Sequence, residues 1–138
     1  MNRALLTVLF AASFFGVSRS ARGQVIIANL NIKATDVSKD DLRDVFTGGS
    51  STLAGTRVAP VLLKSGSVTD AFLATYIGRS DAAFRAGWRS LVFSGQAAMP
   101  KSLDTDAAVI DYVAHNAGAI GYIGKAMPHE GVKVLTPR

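Results

Sequence analysis

The chain has 138 residues, no cysteine, and 15 Lys and Arg against 10 Asp and Glu, a formal net charge of +5. The lack of cysteine excludes disulfides, thiolate metal sites and a cysteine nucleophile.

An export signal is predicted at the N-terminus. Arg3 provides a positive charge, and residues 4–17 are almost wholly apolar. This is about the length of a secretory signal and shorter than the roughly 20 residues of a membrane span. Small residues follow, which predicts cleavage after Gly23, with Ala21 as a near alternative. An uncleaved anchor or a buried helix is the other interpretation.

Cleavage would leave one domain, residues 24–138. It would remove three of the 15 basic residues, so 12 would face 10 acidic ones and the net charge would fall to +2. Lys and Arg are then scattered among Asp, without the basic stripe that is typical of a nucleic-acid binder. No second apolar stretch reaches membrane length. Export of a small domain without cysteine favours a bacterial periplasm, so we expect a soluble periplasmic or secreted domain.

The first half of this domain alternates strands and helices. Residues 24–29 form a β-branched apolar run that predicts a buried strand. Ser38 is a predicted N-cap. Residues 57–63 predict a second strand, in which Pro60 indicates an irregular or edge position. A helix should begin near residue 68 and end at Gly78.

The second half continues the alternation. Ser80 is the predicted cap of a helix whose Trp88 shares an apolar face with neighbours at helical spacing. Residues 95–103 are predicted as a loop and residues 104–116 as an amphipathic helix. The last two strands are predicted at residues 119–123 and 132–135. Strands that alternate with helices favour an α/β sandwich with some parallel pairing.

The aromatic residues of the Trp88 helix are interpreted as core. The residues assigned to this face or to the core with Trp88 are Phe84, Leu91, Val92 and Phe93. An aromatic platform for a ligand is the alternative.

Four segments in order resemble the phosphate ABC transporter substrate-binding protein family. They read L-R-D-V-F-T-G at residues 42–48, V-A-P-V at 58–61, F-R-A-G-W-R-S-L-V-F-S-G at 84–95 and G-A-I-G-Y-I at 118–123. The resemblance implies a mixed sheet flanked by helices, in one three-layer lobe of the type II periplasmic binding protein fold. It also implies periplasmic solute binding, with a small anion such as phosphate as the ligand.

Complete members of that family hold the anion between two lobes, and this chain resembles only the second. A second copy of the chain or an envelope protein could therefore complete the cleft. The chain also departs from the family at the second helix start. No Arg stands there, and Val68 replaces a glycine that lets the backbone approach the anion. The alternative function is a periplasmic interaction module that has lost its ligand.

The predicted ligand site is the turn before this helix. A helix start after a strand offers free N–H groups and a partial positive charge. Hydroxyls and one ammonium group add donors. The site residues are Lys64, Ser65, Gly66, Ser67 and Thr69. In the alternative interpretation, Ser65 or Ser67 is a simple N-cap and Lys64 is solvated.

Other polar residues are interpreted as structural. His115 suits a helix C-terminus, and the aspartates at 104, 106 and 111 suit a helix start and a solvated face. His129 and Glu130 could contact a metal, but two ligands do not make a site. The sequence has no nucleophile elbow, no zinc-protease motif and no P-loop of the kind that binds nucleoside triphosphates. We expect neither a cofactor nor catalysis, although an envelope enzyme is the remaining alternative.

Overall fold

The computed structural model describes residues 24–125 and 130–138, so the predicted signal at residues 1–23 and His129 lie outside the described part. The strands are β1 (Val25–Asn29), β2 (Asp36–Val37), β3 (Thr52–Leu53), β4 (Thr56–Arg57), β5 (Ala59–Leu63), β6 (Lys101–Leu103), β7 (Ala119–Ile123) and β8 (Val132–Pro137). The helices are α1 (Lys39–Phe46), α2 (Ser67–Phe72), α3 (Asp81–Phe93) and α4 (Asp106–His115). A π-helical turn, Leu73–Ile77, continues α2.

Six strands form one mixed sheet in the order β2-β8-β1-β7-β5-β6. β5 runs parallel to both β7 and β6, whereas β1 is antiparallel to β7 and to β8. β2 pairs in parallel with β8 at the outer edge. β3 and β4 form a separate hairpin. The predicted class, an α/β domain with some parallel pairing, is confirmed.

Strand β7 shows that helices cover both faces of the sheet. Successive side chains of a strand point to opposite faces. A Cβ on Gly121 would lie 3.0 Å from Val109 of α4. On the other face, the Tyr122 ring stacks on Phe72 of α2 with centroids 3.9 Å apart, and Phe46 of α1 meets Phe72 edge-on at 5.0 Å. The domain therefore has three layers, with the sheet in the middle.

The helix ends follow the local signals in the sequence. The Ser38 hydroxyl accepts a hydrogen bond from the Asp41 amide at 3.0 Å, and the Ser80 hydroxyl accepts one from the Ala83 amide at 3.1 Å. Gly78, with φ of 77°, ends the helical run that α2 begins. All three predictions are confirmed, because a cap depends on residues close in sequence.

Pro60 lies in an inner strand, which corrects the expected edge position. β5 sits between β7 and β6, and Pro60 pairs with Ile120 of β7. The Ala59 amide donates to the Gly118 carbonyl on the β7 side, so the next nitrogen points away from β7. Pairing with β6 starts only at Val61. The missing N–H of Pro60 therefore falls where the ladder has not yet begun.

A short strand replaces part of the predicted loop at residues 95–103. Lys101–Leu103 forms β6, which pairs in parallel with β5 at the sheet edge. Lys101 and Ser102 are exposed and Leu103 is half-buried. The strand was not predicted, because three residues with so little burial show no alternation of apolar and polar side chains in the sequence.

The core face of α3 is shorter than predicted. Phe84 and Trp88 are 1% and 4% exposed, and the Trp88 indole donates to the Phe46 carbonyl at 2.9 Å, so their assignment to the core is confirmed. Val92 and Phe93 are 40% and 91% exposed, and their assignment was wrong. Phe93 lies five residues after Trp88, about 140° around the helix, and therefore points away from the core. No helix in the described part of the chain is long and apolar enough to cross a membrane.

Candidate functional site

Three parallel strands end at one edge of the sheet and create a cavity there. β7, β5 and β6 run in the same direction, so their carboxyl ends meet. The residues that follow these ends are Gly124, Lys64 and Asp104. In open α/β sheets, the crevice beyond the carboxyl ends of the strands is the usual place for a ligand.

The cavity has a volume of about 270 Å³. It is lined by Leu63, Lys64, Ser65, Gly66, Ser67, Val68, Asp104, Thr105 and Asp106. Four of the five residues predicted for the ligand site are thus brought together here.

The start of α2, beside this cavity, has no side-chain cap. Its N-cap residue is Gly66, and no side chain caps the amides of the first turn. The other three helices each begin with a hydroxyl cap, from Ser38, Ser80 or Thr105. The first N–H groups of a helix have no partner within the helix. At α2 no side-chain cap takes up these donors, which contradicts the alternative that Ser65 or Ser67 is a simple N-cap.

Gly66 gives the turn a conformation that other residues rarely adopt. Its φ and ψ are 153° and −172°, in a region that is essentially limited to glycine. A Cβ at this position would meet nothing within 4 Å. The requirement for glycine is therefore conformational rather than steric.

The two serines of the turn have different surroundings. The Ser65 hydroxyl donates to Asp81 Oδ2 at 2.6 Å, so it links the turn to the start of α3. Ser67 is the first residue of α2 and is exposed. Lys64 is also exposed. A ligand in the cavity could therefore meet the Lys64 ammonium and the Ser67 hydroxyl without displacing a described hydrogen bond.

Thr69 lies beneath the turn and not in the cavity wall. It is fully buried, and its hydroxyl lies 2.8 Å from the Lys64 carbonyl, 3.0 Å from the Leu63 carbonyl and 2.8 Å from the Tyr122 hydroxyl. These contacts hold the end of β5 against the first turn of α2. Thr69 therefore supports the site from below, whereas the sequence placed it among the ligand contacts.

Tyr122 completes this buried support. Its hydroxyl accepts a hydrogen bond from the Leu63 amide at 3.2 Å and donates to the Leu63 carbonyl at 3.3 Å. Burial raises the pKa of the Tyr122 hydroxyl above its ordinary value of 10.0, and the hydrogen bonds with Thr69 and Leu63 oppose this rise. The hydroxyl consequently stays protonated and can act as both donor and acceptor.

Two carboxylates in the cavity wall were not predicted to belong to the site. Asp104 is exposed, and Asp106 is half-buried with Oδ2 accepting from the Gly124 amide at 3.0 Å. Sequence reasoning took both for a helix start and a solvated face. The signal that could have placed them was strand β6, whose carboxyl end leads directly to Asp104. Their negative charge opposes the attraction of Lys64 and the helix start for an anion.

The remaining candidates lie elsewhere. His115, in the last turn of α4, has Nδ1 2.8 Å from the Asp111 carbonyl and is exposed, as the structural interpretation expects. Within residues 24–125 and 130–138, no group of three or more His, Asp or Glu side chains could hold a metal ion.

The fold is shared with solved proteins of phosphate transport. A protein from Clostridium perfringens, described as a phosphate ABC transporter substrate-binding protein and solved with bound phosphate, superposes with a TM-score of 0.65 at 19% identity over 84% of this chain. An ABC-type phosphate transport receptor from Vibrio cholerae gives 0.57 at 16% identity over 84%, and PstS from Borrelia burgdorferi gives 0.53 at 14% over 85%. The predicted fold, that of a periplasmic binding protein lobe, is confirmed.

This chain spans less than half of each of those proteins. It covers 45%, 46% and 47% of their lengths, respectively. Neither a family model nor a curated relative matches the sequence.

Proposed function

We propose that this chain is a periplasmic solute-binding-like protein that binds a small oxyanion such as phosphate, weakly, at the turn before α2. The observation that carries the proposal is the uncapped start of α2, which faces the cavity beside Lys64, Ser65, Gly66 and Ser67. Free backbone N–H groups with an ammonium and a hydroxyl nearby are the donors that an oxyanion needs. Four structural neighbours are described as proteins of phosphate transport or binding, and one of them was solved with phosphate.

Binding by this chain alone should be weak for two reasons. The cavity lies at the surface of one lobe, and Lys64, Ser67 and Asp104 in its lining are exposed, so the anion keeps much of its contact with water and the electrostatic interactions are strongly screened. Asp104 and Asp106 also place two carboxylates in the wall against the one cation of Lys64. One or two charge-assisted hydrogen bonds of about 1.5–3 kcal/mol each would then give a Kd of roughly 1 mM.

Tighter binding would require a second surface that closes the cavity. We propose that a second copy of the chain, or an envelope protein, supplies this surface, and that the anion is then held with micromolar affinity. In that case the apparent affinity should rise with protein concentration, because assembly and binding are coupled. The role is one of binding and not of catalysis, in line with the substrate-binding neighbours.

Calorimetry with phosphate and with sulfate tests the proposal on protein recovered from the periplasm. Lys64→Gln combined with Ser67→Ala removes the two exposed donors, and Lys33→Gln is the matched charge control. Lys33 follows β1, which runs antiparallel to β7, so it lies towards the opposite edge of the sheet. We expect the double variant to lose the measurable heat of binding, and Lys33→Gln to retain it.

Two results would contradict the proposal. The first is that neither anion gives any heat of binding at an anion concentration of about ten times the Kd estimated above, whether the protein sediments as a monomer or as a dimer. The second is tight one-to-one binding by a monomer that the double variant does not weaken, which would place the anion somewhere other than this turn.

A further inference from the structure

The C-terminal end of α3 exposes a compact apolar surface, which we call the α3 tip and define as Val92, Phe93 and Met99 with Arg89 beside them. These four residues line one shallow depression. Phe93 is 91% exposed, Met99 is 45% exposed and Val92 is 40% exposed. A phenylalanine this exposed protrudes from the surface, at a cost in free energy that burial would recover.

The fold itself gives these side chains no role in the core. α3 packs on the core through Phe84 and Trp88, and the Trp88 indole donates to the Phe46 carbonyl. The last turn of the helix is closed by its own backbone, since the Ser94 and Gly95 amides donate to Ser90 and Val92 carbonyls. Within the described residues, the α3 tip is therefore held by regular backbone hydrogen bonds and remains exposed.

The segment of the chain that contains this tip carries most of the positive charge of the domain. Residues 79–101 contain four cations, Arg79, Arg85, Arg89 and Lys101, and one carboxylate, Asp81, which gives a net charge of +3. The other residues of 24–138 contain eight cations and nine carboxylates, a net charge of −1. Asp81 is ion-paired with Arg85 at 2.8 Å. Arg89 is thus the charged residue that borders the apolar side chains, and its positive charge favours an anionic partner.

We propose that the α3 tip docks on an anionic lipid bilayer, with Phe93 and Met99 in the interfacial layer and Arg89 among the phosphate groups. A protruding aromatic side chain with a flanking cation matches the way that peripheral proteins contact such membranes. The tip is four residues wide, whereas a stable protein interface buries about 800 Å² on each partner. A second copy of the chain therefore fits this surface less well than a lipid surface does.

Sedimentation with lipid vesicles tests the proposal on the processed protein. Vesicles of phosphatidylcholine alone are compared with vesicles that also contain phosphatidylglycerol, at low and at high salt. The variants are Phe93→Ser and Arg89→Gln. Val134→Ser is the control, because Val134 is 48% exposed and aligns through Ile27 with Gly121, which faces α4 on the other face of the sheet. Thermal unfolding of each variant checks that the fold is kept.

We expect binding to the anionic vesicles that high salt weakens. Phe93→Ser should lower the partition coefficient by about tenfold, because it removes one large apolar side chain from the interface. Arg89→Gln should lower it by about fivefold, and Val134→Ser should leave it unchanged.

Three results would overturn the proposal. The first is no binding to anionic vesicles. The second is binding that Phe93→Ser leaves intact, since this would be a general attraction of charge. The third is a dimer, seen by sedimentation without lipid, that Phe93→Ser dissociates, which would assign the tip to a second copy of the chain.

Discussion

The hydroxyl of Thr69 lies 2.8 Å from the hydroxyl of Tyr122, and this contact joins the first turn of α2 to the central strand of the sheet. Both groups are buried, and both also reach the backbone of Leu63. The position of the turn that lines the cavity is thereby fixed from inside the core. A binding site depends on such support to keep its donors in place.

Tyr122→Phe should destabilise the domain by about 1–3 kcal/mol. The substitution keeps the ring that stacks on Phe72, but it leaves the buried Leu63 amide without the hydroxyl that accepts its hydrogen bond. A buried donor without a partner costs this amount. Urea unfolding of the variant and of the parent protein measures the difference. A difference below about 0.5 kcal/mol would mean that water replaces the hydroxyl.

The same tyrosine should make the fold sensitive to alkali. Burial raises the pKa of Tyr122 in the folded state above its ordinary value of 10.0, so its contribution to stability is complete below pH 10.0 and is lost as the pH rises through the folded-state pKa. We expect Tm to fall above pH 10.0, and to fall less steeply in Tyr122→Phe. Tyr112→Phe is the control, because Tyr112 is only half-buried on α4. Equal slopes in all three proteins would refute the assignment.

Trp88 and Phe93 lie on one helix, but truncation to alanine should change the stability of the domain by very different amounts at the two positions. Trp88→Ala should cost about 3–5 kcal/mol, because it empties a core position and leaves the Phe46 carbonyl without its donor. Phe93→Ala should change stability by less than about 0.5 kcal/mol, as is usual at exposed positions. Urea unfolding compares the two directly. A cost below 1 kcal/mol for Trp88→Ala would reopen its role as a ligand platform.

What could be predicted from the sequence depended on short-range signals. Ser38, Ser80 and Gly78 were placed correctly because each acts on amides or carbonyls within a few residues. Trp88 was assigned to the core from helical spacing. Phe93 was misplaced because a hydrophobic side chain is no proof of burial.

The candidate site was only partly visible in the sequence for a long-range reason. The turn at residues 64–67 follows a recognisable strand, so its donors could be identified. Asp104 reaches the same cavity because β6 pairs in parallel with β5, and that pairing joins segments about 40 residues apart. Thr69 could not be told from a surface hydroxyl, since its hydroxyl partner in the core is Tyr122, far along the chain.

Processing of the N-terminus is a separate prediction, and it concerns residues outside the described structure. Protein recovered from the periplasm should begin within about three residues of Gln24, where the apolar run has ended and small residues occur. N-terminal sequencing measures this. Gly23→Leu should move the cut to Ala21 or prevent it, because a small residue is needed just before the cut. An intact Met1 on membrane-bound protein would show that the segment is an anchor.

Asp104→Asn should raise the affinity for phosphate, and this is the sharpest test of the electrostatics of the cavity. Asp104 lines the cavity with Lys64 and is exposed, so its charge repels an anion held at the start of α2. Two unit charges about 4 Å apart in water interact by about 1 kcal/mol. Removal of this charge should therefore lower the Kd by about two- to fivefold, and high salt should reduce the gain.

Asp111→Asn is the matched control for this experiment. Asp111 is another exposed aspartate, on α4, and it faces His115 and not the cavity. The same loss of charge at this position should leave the Kd unchanged, because the long-range field of the protein is screened within about 10 Å at 0.1 M salt. If both variants bind more tightly by the same factor, net charge alone controls the affinity. If neither does, while Lys64→Gln still weakens binding, the anion lies on the far side of Lys64 from the carboxylates.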